Sequence, residues 1–359
     1  MPAIRRLVLV LPLLAAAATA APFPATSPSV MAEAEKEGKI IIYSTTDTVS
    51  ASPLLKDFAA LYPKLTVEYN DMNSTELYNR FISEAAAGSG SADFLWSSAM
   101  DLQMKLANDG YAAEYDSPEA KGLPLWAVWK NQAFGTTYEP VVFIYNKRLL
   151  KPEEIPHSHA ELVKLLKSNP ERFKGKLTSY DPERSGVGFL FITQDASVDP
   201  SFKETAQAYG SVGPKLYPST GAMMEKVLSG EHLLGFNIIG SYAILKQKKD
   251  PSLGIVYPSD YTLVMSRIAL VPKAAKHQNA GKVFLDYLLS ARGQKIIADQ
   301  SLLFSIRSDV EGTTSAAGLA KELAQSLKPI PVGPSLLTYL DQSKRLEFLK
   351  EWQQALGTK

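Results

Sequence analysis

The chain has no cysteine. It therefore carries no disulfide and is not a small stapled scaffold. A lipid anchor on a cysteine after a cleavage site is excluded by the same absence. Histidine is nearly as scarce, with only His157, His159, His232 and His277. His157 and His159 lie two apart, but no cysteine or further histidine supports a zinc pair there, so no metal site is assigned. Charge of one sign is missing too. There are 38 Lys and Arg against 37 Asp and Glu, so no basic face is expected, which argues against nucleic acid as a partner. No G-x-S-x-G elbow, Walker loop, G-x-G-x-x-G or H-E-x-x-H is present, so no enzyme motif is found and no catalytic residue is assigned. No cofactor is implied. Internal repeats, low-complexity tracts and heptad runs are absent as well.

What is present begins with an apolar stretch too short to span a membrane with stop-transfer flanks. Arg5 and Arg6 precede apolar residues 7–18, and Ala18-Thr19-Ala20 is a small-x-small cleavage site. Residues 1–20 thus read as a signal peptide and imply export to the periplasm. Residues 21–29 are a lead-in, and residues 31–38 form a short helix that ends at glycine.

The organising stretch is residues 39–62. Ile40, Ile41, Ile42 and Tyr43 form an uncharged β-branched and aromatic run, as in a strand buried on both faces. Ser44, Thr45, Thr46, Asp47 and Thr48 follow, and then Leu54, Leu55, Phe58 and Leu61 at helical spacing. The unit recurs twice. Residues 65–69 form a strand that ends in a polar loop with Ser74 and Thr75, and residues 92–96 form one that ends at Ser97 and Ser98. Three such units predict a parallel sheet with helices on its faces. Ligands bind at the carboxyl ends of strands in such sheets. The plainer alternative is that residues 44–47 only cap a helix.

A second α/β region follows residues 136–145, a strand-like run that contains Pro140. Proline inside a strand suggests a chain leaving one sheet for another. In this region, residues 176–180 lead to the loop containing Arg184, Ser185 and Gly186. Residues 216–217 lead to Thr220 and Gly221, and residues 233–239 lead to Ser241 and Tyr242. Residues 262–271 are strand-like again and mark the return. Amphipathic helices are predicted over residues 280–289 and 343–356.

This arrangement resembles the type II periplasmic solute-binding proteins of ABC importers, within the extracellular solute-binding family 1. The resemblance rests on KIIIYSTTD, ADFLWSSAMDLQMKLANDGY, TTYEPVVFIYNKRLL, SYDPERSGVGF, NIIGSYAILKQKKDPSLGIVYPSDY and AGKVFLDYLLSARGQKII. It covers nearly the whole mature chain. It implies an α/β fold of two lobes, each a mainly parallel sheet flanked by helices, joined by two hinge crossings near 136–141 and 257–262. The first lobe would hold residues 31–136 and 263–312, and the second 137–262 and 313–359. It also implies a membrane permease or a sensor protein as partner, with the chain a monomer.

The branch contains ferric-ion, sugar-phosphate and phosphonate binders. Ferric-ion binders of the branch use two adjacent tyrosines, and here the place reads Tyr242-Ala243. Iron(III) needs several anionic oxygens, so iron is the alternative and a small anionic organic solute, phosphorylated or carboxylated, is the expectation. A secreted hydrolase is the remaining reading, but no stretch pairs a nucleophile with a base. Candidate ligand residues are Ser44, Thr45, Asp47, Ser74, Thr75, Ser97 and Ser98 from the first region. Tyr180, Arg184, Ser185, Gly186, Thr220, Gly221, Ser241 and Tyr242 come from the second. Helix N-termini and backbone amides suit an anion in a chain of near-zero charge.

Overall fold

Thirteen strands divide between two sheets in a computed structural model that describes residues 23–89, 92–323 and 325–357. The expected signal peptide, residues 1–20, lies outside the described residues. Among the described residues no helix is long and apolar enough to cross a membrane. In chain order the strands are β1 (Lys39–Ser44), β2 (Thr66–Asp71), β3 (Phe94–Ser97), β4 (Val128–Trp129), β5 (Ala133–Gly135), β6 (Glu139–Asn146) and β7 (Leu177–Tyr180). Then come β8 (Lys215–Tyr217), β9 (Leu234–Ile239), β10 (Leu253–Val256), β11 (Thr262–Met265), β12 (Ile268–Leu270) and β13 (Leu327–Pro329).

The first sheet has the order β2-β1-β3-β12-β5-β4. β1 runs parallel to both β2 and β3, as three strand–helix units in succession require. The opening helix, Pro28–Glu37, stops where Gly38 turns left-handed at φ 67°, a conformation that glycine adopts without a Cβ clash. Under the sheet, Phe58, Phe94, Phe284 and Tyr287 pack edge to face at 5.0–5.3 Å. Such pairs add to the burial of their apolar area.

The second sheet has the order β13-β11-β6-β9-β7-β8, and β10 also pairs with β6. β6 is central, yet Pro140 sits in it. Pro140 pairs with Val264 of β11, whereas β9 pairs from Val141 onward. The proline thus falls where the strand takes up its second neighbour, where a missing N–H costs least. The helix Gly186–Val198 is buried from Gly186 through Thr193 and packs beside this sheet, as a helix that opens on an apolar run must.

The chain passes from the first sheet to the second between β5 and β6, through residues 136–138. It returns between β11 and β12, through Ser266 and Arg267. The strand-like run 262–271 is therefore two strands in two sheets. The return lies several residues beyond 257–262, because residues 262–265 still pair with β6 and β13.

The last helix, Gln342–Ala355, lies against Phe202–Ser211, with Phe202 stacked on Trp352 at 5.9 Å. Gly210 allows this approach, since a Cβ there would lie 1.9 Å from the Ala355 carbonyl oxygen. Gly210→Val should therefore push the C-terminal helix away. The expected loss is about 1–3 kcal/mol, as for other overpacking changes. It should appear as a lower melting temperature and faster proteolysis within residues 342–357, and an unchanged digestion pattern would contradict the packing.

Candidate functional site

The carboxyl ends of the strands in both sheets face one pocket of about 260 Å³. From the first sheet, β1 delivers Thr45 and Asp47, β2 delivers Asp71, Asn73 and Ser74, and β3 delivers Ser98. From the second, β7 delivers Tyr180 and Ser185, β8 delivers Ser219, Thr220 and Gly221, and β9 delivers Tyr242. In each case a helix starts in the loop, and a small polar side chain often caps it. Asn73, Ser185 and Ser219 accept from the amides of Glu76, Gly188 and Ala222.

The two halves touch directly across the pocket. The Asp47 amide donates to the Tyr242 hydroxyl at 3.1 Å. The Gly186 amide donates to Thr75 Oγ1 at 3.1 Å, and the Val187 amide to Ser74 Oγ at 3.2 Å. Within the first half, the Ser98 amide donates to Thr45 Oγ1 at 2.8 Å. Tyr180 and Thr220 share a hydroxyl–hydroxyl bond. Asp71 accepts from the amide and hydroxyl of Thr48.

Two carboxylates line the wall and no lysine or arginine does. Burial raises the Asp47 pKa, while the nearby Arg267 guanidinium pulls it down. Burial also pushes the Tyr242 phenol up to about 12, against the pull of Arg267, and raises Tyr180 for the same first reason. Both phenols are therefore neutral hydrogen-bonding groups near neutral pH.

Of the residues singled out from sequence, Thr45, Asp47, Ser74, Ser98, Tyr180, Ser185, Thr220, Gly221 and Tyr242 line the pocket. The others do not. Ser44 Oγ accepts from the Thr46 amide, and Ser97 Oγ from the Ala99 amide. Ser241 donates to buried Glu139. Thr75 and Gly186 are taken up by their mutual bond. Arg184 is exposed, and its carbonyl accepts from Thr75 Oγ1 at 3.4 Å. The amide of Gly186, a candidate from sequence, and that of its neighbour Val187 are here occupied by Thr75 and Ser74. Asp71, Asn73 and Ser219 were missed, although they stand in the loops that drew attention. A preference for hydroxyls over carboxylates and amides passed over the first two.

Histidine takes no part. His159 Nδ1 lies 2.9 Å from Asp260, His277 Nδ1 2.8 Å from Asp93, and His232 Nε2 2.9 Å from the Tyr217 hydroxyl. No histidine is among the residues that line the pocket. Among the described residues, no group of three or more His, Cys, Asp or Glu is placed to hold a metal ion.

Two mixed α/β sheets that share a pocket at their strand ends, joined by two chain passages, define the two-lobe periplasmic-binding-protein fold. Solved structures agree. The substrate-binding protein of an ABC transporter from Agrobacterium tumefaciens is 40% identical, with a TM-score of 0.85 over 89% of this chain and 94% of that one. The periplasmic binding protein AfuA from Actinobacillus pleuropneumoniae, solved with exogenous fructose-6-phosphate bound, is 18% identical, with a TM-score of 0.74 over 90% of this chain and 99% of that one. Iron-bound HitA from Pseudomonas aeruginosa is also 18% identical, with a TM-score of 0.67 over 88% and 99%. The last two show likeness of fold alone. A search of curated proteins gives no match. The model of the bacterial extracellular solute-binding proteins matches residues 54–321, and the chain belongs to that family.

Proposed function

We propose that the pocket captures a small hydroxylated organic anion, phosphorylated or carboxylated. The chain acts as the substrate-binding protein of an ABC transporter, the role named for its Agrobacterium relative. The observation that carries the ligand reading is the pairing across the pocket. The helix start at Thr220 and Gly221 lies on one side, and Asp47 and Asp71 on the other. Helix N-termini favour an anionic group. Carboxylates accept from hydroxyls and repel anions, so a solute with both an acid group and hydroxyls satisfies both walls. The Gly221 side of the site supplies the backbone approach that the Gly186 loop no longer offers.

Two lobes that part at residues 136–138 and 266–267 would open and close over this solute, and a permease or sensor would read the closed form. The targeting segment fits export to the periplasm. Binding without catalysis fits the site, because no histidine lines it beside its serines.

Ferric ion is the second reading, favoured by Asp47, Asp71, Tyr180 and Tyr242 around one pocket. Against it, Ala243 stands beside Tyr242 where ferric-ion binders have a second tyrosine, and among the described residues no group of three or more His, Cys, Asp or Glu is placed to hold a metal ion. Thermal-shift screening of the chelator-stripped protein against sugar phosphates, hydroxy acids and ferric citrate separates the two. A true solute raises the melting temperature by mass action, by about 2.7 kcal/mol of added stability at a hundredfold excess over Kd. A rise with ferric salts alone, with a tyrosinate colour lost in Tyr242→Phe, overturns the organic-anion reading.

A further inference from the structure

Glu139 and Arg267 are both fully buried, with no exposed side-chain surface. They lie 128 residues apart and form a two-pronged ion pair, Nε to Oε1 at 2.8 Å and Nη2 to Oε2 at 3.2 Å. Neither lines the pocket. Each stands at a passage between the sheets. Glu139 opens β6 just after the first passage, and Arg267 lies within the second. The passages are also stitched together around the pair. The Arg267 amide donates to Thr137 Oγ1 at 2.9 Å, and the Thr136 amide and hydroxyl donate to the Arg267 carbonyl at 3.0 and 2.8 Å.

Glu139 Oε1 also accepts from the Thr137 hydroxyl at 2.8 Å, and the rest of the pair's capacity goes outward, in two opposite directions. Arg267 Nη1 donates to the Thr45 carbonyl and to Thr46 Oγ1, each at 3.1 Å. That is the first sheet's pocket loop. Glu139 Oε2 accepts from Ser241 at the second sheet's pocket helix. The guanidinium carbon lies 5.1 Å from the centre of the Tyr242 ring. A continuous polar chain thus runs from Thr45, through Arg267 and Glu139, to Ser241 and Tyr242. It crosses between the sheets where the chain passes from one to the other.

A buried ion pair is weak support for stability as such, since desolvation offsets its attraction. Its attested use is to fix a register or a switch. We propose that Arg267 and Glu139 are positioning residues that couple the two pocket loops through the two passages. They hold Thr45, Asp47 and Tyr242 in the arrangement that a solute meets. The proposal rests on the solute-binding reading for its purpose, but its test does not need the solute.

The test is amide hydrogen exchange on the whole, solute-free protein, comparing Glu139→Gln with wild type. Glutamine keeps the shape of the side chain and removes its charge. The coupled reading expects protection in residues 45–48 and 240–243 to fall about tenfold, within the usual range of coupling between sites. Protection in the core helix Gln278–Leu289 should stay as in wild type. A uniform fall across all segments, in step with the melting temperature, would mean a merely structural pair and overturn the proposal. So would unchanged protection at both loops. Because Arg267→Met alone leaves a buried unpaired carboxylate and is prone to misfold, the companion variant is Arg267→Met with Glu139→Leu. It should fold and still lose the loop protection. If it keeps wild-type protection at both loops, the proposal fails. Solute identity enters none of these readings, so a wrong ligand assignment leaves the test intact.

Discussion

Asp101→Asn should raise stability above pH 7 and remove part of the pH dependence of unfolding between about pH 4 and 7. Asp101 is only 3% exposed, at the start of the helix Met100–Asn108. That helix belongs to the first sheet's layer and packs on the segment Pro334–Leu340 and on the helix Gly186–Val198 beside the second sheet. Its Oδ1 accepts from the neighbouring Leu102 amide at 2.9 Å. Burial pushes its pKa up to about 7, against the pull of that amide and of the Arg345 guanidinium. The unfolded chain releases the proton near pH 4. Between these values the native state holds the extra proton, so stability falls as pH rises through the window and is flat above it. Each pH unit in the window removes up to about 1.4 kcal/mol, which sums to a few kcal/mol for the ionised group. Asparagine never ionises and escapes this cost. Asp195, pushed up to about 6 by its own burial, bends the curve the same way in both proteins. The test is therefore the difference between the two denaturation series across pH. Parallel curves would show that Asp101 titrates as an ordinary carboxylate.

The position of Asp101 explains why such a group was not legible. In the sequence it is one acidic residue at a helix start, a place where acids are favoured. Its burial comes from packing between distant segments. The strands were readable for the opposite reason. Ile40–Tyr43 and its two successors announce themselves by period and composition, and their loops by small polar residues. That reasoning located the pocket's rim and most of its hydroxyls. It failed where orientation decides. Arg184 has the right company of serine and glycine, yet its side chain stays in solvent while Thr75 and Ser74 take the neighbouring amides. The position of the return passage failed for a related reason. A single cation inside TLVMSRIALV was the only local mark of a break, and its meaning depends on Glu139, 128 residues earlier. Pairing at that separation has no local signature.

Replacing Asp47 and Asp71 together by asparagine tests the ligand reading through the sign of the change. If the solute donates hydroxyls to these carboxylates, each loss removes a hydrogen bond to a charged group, worth about 1.5–3 kcal/mol. The double variant should then bind the solute from the thermal-shift screen on the order of a hundredfold or more weakly, as measured by calorimetry. The two sites share one wall, so the losses need not add. If the solute is held by its acid group alone, the carboxylates only repel it. Removing them then tightens binding, and the gain shrinks as salt screens the repulsion. A ferric ligand would show a third pattern, in which affinity collapses and the tyrosinate band weakens with it. Asp71 also receives the Thr48 amide, so Asp71→Asn is compared with Asp47→Asn for melting temperature before affinities are read. An affinity loss at Asp47 alone, with the melting temperature unchanged, would place the hydroxyl end of the solute beside β1. Tighter binding in the double variant would refute the hydroxylated solute and leave a simple anion in its place.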